Sequence, residues 1–134
     1  MNTVQVLARW TGQTLRFVGT DPRGNEVKMG GKENLSPSHM LLLGLAGCTG
    51  MDIVSILQKK RQNVTGVEVQ VTAQQPEEYP KPYQDIEISF TIKGENVDPK
   101  AVSRAIHLSE TKYCIVSQTL QSDVKITTSF TIAE

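Results

Sequence analysis

The stretch from Ser36 to Arg61 most strongly limits what this chain can fold into. Ser36 can cap a helix, Pro37 suits the first helical position, and the basic run 59–61 suits a helix C-terminus. From Met40 to Cys48 every residue is apolar or glycine, which predicts a helix buried on all faces. About 25 residues would span about 37 Å, longer than a domain of this size is wide. We therefore expect a second copy of the chain to cover this helix in a homodimer.

Length and charge set the broad class. The 134 residues predict a single domain over 1–134, and 14 basic residues balance 14 acidic ones, which argues against a nucleic-acid partner. The segment Met1–Trp10 has no apolar core typical of a signal peptide. No uninterrupted apolar run reaches the ~18 residues of a membrane span, so we predict no membrane partner and a cytoplasmic protein.

Alternation of apolar and polar residues predicts most of the remaining elements. Three short strands precede the helix, and two strands follow it around residues 67–72 and 86–93. Asp98 and Pro99 open an amphipathic second helix, a short helix runs to Leu120, and a last strand covers 124–132. The resulting order, βββ-α-ββ-αα-β, predicts a largely antiparallel α+β fold.

The chain has two cysteines, Cys48 and Cys114, which are 66 residues apart and form no CxxC motif. Because structural disulfides are rare in the cytosol, each is either an inert core thiol or a reactive one. Cys48 lies in the middle of the predicted helix, where burial would raise its pKa, whereas Cys114 lies where a new helix begins, a position that lowers a thiol pKa. In the functional interpretation, Cys48 attacks a peroxide and the resulting sulfenic acid condenses with Cys114.

The sequence gives weaker support for a metal site, and the glycines of the helix indicate packing. His39 and His107 could join the two cysteines in a metal site, but spacings of 9 and 7 residues match no compact zinc motif, so we predict no metal and no cofactor. Gly44, Gly47 and Gly50 recur at every third residue of the helix. This spacing favours close packing of a strand or a second helix.

Two motifs resemble those of the OsmC/Ohr superfamily, in particular its short OsmC-like branch. The first combines Ser36-Pro37, an apolar run from Met40, and the segment Cys48–Ile53; the second runs from Leu108 to Ser117 and contains Cys114. The resemblance implies an intertwined homodimer, with antiparallel sheets packed on long central helices and the active site at the subunit interface. It also implies thiol-dependent reduction of organic hydroperoxides, with Cys48 as the peroxidatic cysteine, Cys114 as the resolving cysteine, and a dithiol as reductant.

The chain departs from the superfamily pattern around the expected active site. Ser38 and His39 occupy the positions where the peroxidases carry a glutamate, and Ile115 replaces a proline. Gln13 aligns with an arginine that would pair with the thiolate, although Arg16 or Arg9 could serve; we take Arg16 as the candidate.

His39 precedes Cys48 by nine residues, or about 13 Å along the helix, so the two cannot pair within one helix. The simpler interpretation is that His39 replaces the acidic arm of a capping box.

Two functions remain open from the sequence. One is a thiol peroxidase, which needs the sulfurs of Cys48 and Cys114 within disulfide reach and a cation near Cys48. The other is a non-catalytic homodimer that binds a small apolar or thiol ligand at its interface. A purely structural dimerisation module is a third possibility.

Overall fold

The computed structural model describes residues 1–121 and 124–134. In chain order, the elements are β1 Leu7–Trp10, β2 Phe17–Thr20, β3 Glu26–Met29, α1 Pro37–Lys59, β4 Asn63–Gln74, β5 Gln84–Glu95, α2 Pro99–Leu108, a π turn Ser109–Tyr113, α3 Ile115–Leu120 and β6 Ile126–Ala133. The predicted order βββ-α-ββ-αα-β is therefore confirmed. The π turn is the one addition within the described residues. Residues 1–41 and 42–134 form two compact units, and a single domain over 1–134 stays a prediction.

The first unit contains an antiparallel meander in the order β1-β2-β3. Trp10 pairs with Phe17, and Phe17 pairs with Met29. The turn between β2 and β3 is closed by Asp21, whose carboxylate accepts hydrogen bonds from the backbone N–H groups of Arg23 and Asn25, both at 2.8 Å. These contacts stabilise the turn that follows β2.

The second unit contains a sheet in the order β4-β5-β6. β4 and β5 are antiparallel, as predicted. β4 begins at Asn63, before the predicted strand around 67–72, and its register shifts between Val64 and Gly66. β5 and β6 are parallel. The prediction of antiparallel sheets is thus wrong for this one pair. The physical reason is that the chain reaches β6 through α2 and α3, and a helical crossover joins parallel strands.

The core of the second unit lies between α1 and β5. On α1, Leu45, Ile53 and Leu57 are fully buried and recur at helical spacing on one stripe. On β5, the alternating apolar residues Ile86, Ile88, Phe90 and Ile92 are buried. α2 completes the cluster with Val102 and Ala105. The alternation read from the sequence therefore identifies the inward face of β5 correctly.

The single chain does not bury α1 on all faces, and burial of its remaining faces by a second copy stays a prediction. Leu41 and Leu43 expose 47% and 53% of their surface, although Leu45 exposes none. One sheet covers only one face of a helix, so the other apolar faces remain exposed. The homodimer that would cover them stays a prediction.

α1 also has the length and mean hydropathy, 1.9, of a membrane-crossing helix, the one such helix among residues 1–121 and 124–134. A core helix meets the same criteria, and the fully buried stripe of α1 packs in the core described above.

Of the three helical glycines, one explains close packing within the chain. A Cβ at Gly50 would lie 3.2 Å from Cγ2 of Val69 on β4, whereas Gly44 and Gly47 face open space.

The start of α2 is also as predicted: the Asp98 carboxylate accepts a hydrogen bond from the backbone N–H of Lys100 at 2.9 Å. This is a standard N-cap, and Pro99 follows it at the first helical position.

Candidate functional site

The two cysteines lie side by side in the second unit. The Sγ atoms of Cys48 and Cys114 and a carboxylate oxygen of Asp52 all lie within 4.8 Å of one another. Both cysteines are free thiols; Cys48 is half-buried and Cys114 is fully buried. The fold therefore brings together two residues that are 66 positions apart in the sequence.

α1 positions two members of this cluster. Cys48 and Asp52 are four residues apart, so they lie one turn apart on the same face of the helix. The neighbouring stripe that contains Leu45 and Ile53 is anchored in the core. The Thr49 hydroxyl donates a hydrogen bond to the Leu45 carbonyl oxygen at 3.0 Å, which satisfies a buried polar group within the helix. The two site residues are thus held at the edge of a packed surface.

The π turn and α3 position the third member. The backbone N–H of Cys114 donates to the Ser109 carbonyl oxygen at 2.8 Å across the π turn, and Cys114 then adopts an extended conformation. Its Sγ accepts a hydrogen bond from the backbone N–H of Ser117 at 3.3 Å. Cys114 is therefore the N-cap of α3, and the prediction that a new helix begins here is confirmed. The preceding π turn was not predicted; such turns often occur at functional sites.

The prediction that this position lowers the pKa of Cys114 is wrong. Burial, with a hydrogen bond to Cys48, raises the pKa of Cys114 to about 11, although the N–H of Ser117 acts in the opposite direction. The free-energy cost of removing a thiolate from water is larger than the stabilisation that one N–H donor provides. Cys114 is therefore a protonated thiol at neutral pH.

Asp52 is a site residue that the sequence interpretation missed. The Ser109 hydroxyl donates a hydrogen bond to its Oδ2 atom at 2.9 Å, which links α1 to the π turn. Ser109 itself is buried. The spacing of four residues from Cys48 was a usable signal, because it places the carboxylate beside the thiol on any α-helix. The neighbouring serine could not be read from the sequence, since it is 57 positions away.

Arg16, the predicted cation, lies in the first unit. Its Nη2 atom forms an ion pair of 2.6 Å with Oε2 of Glu33. The Arg16 Nε atom is buried and, among the described residues, makes no hydrogen bond. Glu33 lies in the loop before α1 and was not predicted as a partner. His39 is exposed in the first turn of α1.

The two histidines do not join the cysteines in the structure, which places a carboxylate beside them. The structure groups Cys48 and Cys114 with Asp52, and neither His39 nor His107 belongs to that group within the described residues.

A cavity of about 280 Å³ adjoins the cluster, and Asp52, Lys59, Lys60, Tyr113 and apolar neighbours line it. A wider cavity of about 530 Å³ lies between α1 and β4, with mostly apolar walls that include Gly47, Met51 and Val69.

Comparisons with known proteins agree on one family. The family described as OsmC-like protein matches residues 30–129. The chain is 36% identical to Protein YhfA of Escherichia coli (strain K12), a match that covers 96% of this chain and 98% of that protein. The crystal structure of a hypothetical protein from Aquifex aeolicus VF5 is similar with a TM-score of 0.88, 30% identity, and 99% and 98% coverage. The organic hydroperoxide resistance protein OhrB of Bacillus subtilis shares the fold, with a TM-score of 0.62, 14% identity, and 97% and 98% coverage.

Proposed function

Since the chain belongs to the OsmC-like family, we propose that it reduces organic hydroperoxides with the thiols of Cys48 and Cys114. The observation that carries the proposal is the approach of the two sulfurs to within 4.8 Å. A disulfide bond is about 2.05 Å long, so a small side-chain movement would join them. A structural neighbour, OhrB, is named for organic hydroperoxide resistance, which points to the same chemistry. A role in oxidative stress would follow.

The reaction balances with one peroxide and two thiols. The Cys48 thiolate attacks one oxygen of ROOH, the O–O bond breaks, and the alkoxide takes a proton to leave as ROH. Cys48 is then a sulfenic acid. Cys114 sulfur attacks the Cys48 sulfur, the S–O bond breaks, and the hydroxyl leaves as water with the proton of Cys114. An external dithiol then reduces the Cys48–Cys114 disulfide by thiol–disulfide exchange and is itself oxidised.

Asp52 has a defined part in the second step. Cys114 is a protonated thiol at neutral pH because its pKa is raised to about 11. It must therefore lose its proton while it attacks the sulfenic acid. The Asp52 carboxylate lies within 4.8 Å of both sulfurs, and Ser109 orients it. We assign Asp52 as the base that accepts this proton and passes it to the leaving hydroxyl, which departs as water.

Arg16 is the proposed cation for the Cys48 thiolate, within an active site completed in a homodimer. The ion pair with Glu33 supports this role, since a fixed guanidinium favours a thiolate more than a mobile one does. Glu33 would then replace the glutamate that the chain lacks at Ser38 and His39. The exposed Leu41 and Leu43 support the dimer, because large apolar side chains on a core helix favour a covering partner.

The decisive experiment is hydroperoxide consumption with a dithiol reductant. We expect Cys48→Ser to lose all turnover. Cys114→Ser should turn over more slowly than the wild type and accumulate the Cys48 sulfenic acid, because no Cys48–Cys114 disulfide forms. Equal slow rates in the wild type and both variants would refute the peroxidase.

The contribution of Arg16 is tested with Arg16→Gln and Glu33→Gln, which should lower the rate of the first step by about 10-fold or more. Arg23→Gln is the matched control, because Arg23 is an exposed arginine in the turn of the same unit. Equal rates in all three variants would remove Arg16 from the mechanism.

A second function is supported by the cavity of about 530 Å³ between α1 and β4. Its mostly apolar walls suit a small apolar ligand without catalysis. Binding of such a ligand by a protein that consumes no hydroperoxide would favour this alternative.

A further inference from the structure

We propose that Cys48, Cys114 and Asp52 form a binding site for Zn²⁺. The site uses two thiolates and one carboxylate and leaves the fourth position of a tetrahedral ion open. This proposal does not depend on peroxidase activity, since metal binding needs only the three ligands and their geometry.

The spacing of the three donor atoms suits a zinc ion. Zn–S bonds are about 2.3 Å and Zn–O bonds about 2.0 Å, so tetrahedral donors lie about 3.5–3.8 Å apart. The Sγ atoms of Cys48 and Cys114 and the Asp52 oxygen are already within 4.8 Å of one another. A contraction of at most about 1.3 Å would therefore bring the donor atoms to tetrahedral separations.

The ligands are supported by neighbours in the way that metal ligands usually are. The Ser109 hydroxyl donates to Asp52 at 2.9 Å, a contact of the kind that orients a ligating carboxylate. The Ser117 N–H donates to the Cys114 sulfur at 3.3 Å. Cys48 and Asp52 stand on successive turns of one helix, so their separation is set by the backbone.

The chemistry of the donor set selects the ion. Two thiolates favour Zn²⁺ over Mg²⁺ or Ca²⁺, which prefer oxygen ligands alone. Bound as two thiolates and one carboxylate, the three ligands leave the complex with a net charge of −1. Lys59 and Lys60 line the cavity that Asp52 also lines, so cations lie nearby to balance this charge. Asp52 is the member of the cluster that lines this cavity of about 280 Å³.

The test is a titration of the reduced protein with Zn²⁺ in competition with a chromophoric chelator, without oxygen. We expect one Zn²⁺ per chain, and affinity lowered about 10- to 100-fold or more in Cys48→Ser, Cys114→Ser and Asp52→Asn. Asp85→Asn is the control, because Asp85 is an exposed aspartate of β5 and should bind as the wild type does. Binding that Cys48→Ser and Asp52→Asn leave unchanged would overturn the proposal, as would no binding at all.

A second measurement uses the wild-type chain, so that it does not depend on how the variants fold. Equimolar Zn²⁺ should slow the reaction of both thiols with a disulfide reagent by about 10-fold, and a chelator should restore the rate. Mg²⁺ at the same concentration should have no effect. Thiols that react at the same rate with and without Zn²⁺ would refute the site.

Discussion

The raised pKa of Cys114 makes the stability of the protein depend on pH in a defined window. The folded-state pKa is about 11 and the usual value is 9.0, so the folded chain holds this proton more tightly than the unfolded chain does. The stabilisation is complete below pH 9 and is lost as the pH rises through 9 toward 11. The two values give a loss of about 1 kcal/mol in the free energy of unfolding between pH 8 and pH 10.

Urea denaturation of the reduced protein at pH 8, 9 and 10 measures this loss. Lysine and tyrosine side chains also titrate in this range, so the informative quantity is the difference between the wild type and Cys114→Ser, which lacks the thiol. Protein concentration is kept constant, because a homodimer would add a concentration-dependent term. The wild type should lose about 1 kcal/mol more than Cys114→Ser does. Parallel stability curves for the two proteins would refute the reasoning.

Three further predictions concern the fold and its assembly. Leu57→Ala, at a fully buried position of α1, should lower the free energy of unfolding by about 2–5 kcal/mol in urea, whereas exposed Gln58→Ala should change it little. Asp98→Ala removes the N-cap of α2 and should cost about 1 kcal/mol in the same assay; no loss would mean the cap is dispensable. Leu43→Lys, at a half-exposed apolar position, should convert the proposed homodimer to a monomer in sedimentation, and exposed Lys100→Glu should not.

Local patterns predicted much of the fold. The alternation from Ile86 to Ile92 identified a strand and its buried face, because side chains point alternately to the two faces of a sheet. Asp98 and Pro99 identified the start of α2, since the cap involves only neighbouring residues. The resemblance of two motifs to the OsmC/Ohr superfamily identified the family correctly.

Long-range contacts were harder to predict. The parallel pairing of β5 with β6 depends on the path of the crossover through α2 and α3, and no local pattern encodes that path. The π turn depends on how the chain from Ser109 fits against α1. The hydrogen bond from Ser109 to Asp52 joins residues 57 positions apart, so it could not be read from spacing.

Cys114 has one property that the local sequence determines and another that depends on the tertiary structure. Its neighbours along the chain determine that it begins a short helix, and this was predictable, since helix initiation is a local event. Its protonation state was predicted wrongly, because the pKa depends on burial and on Cys48, which is 66 positions away. Desolvation is a property of the packed core and not of the segment itself. Only the tertiary structure therefore decides that this thiol keeps its proton beside Cys48 and Asp52.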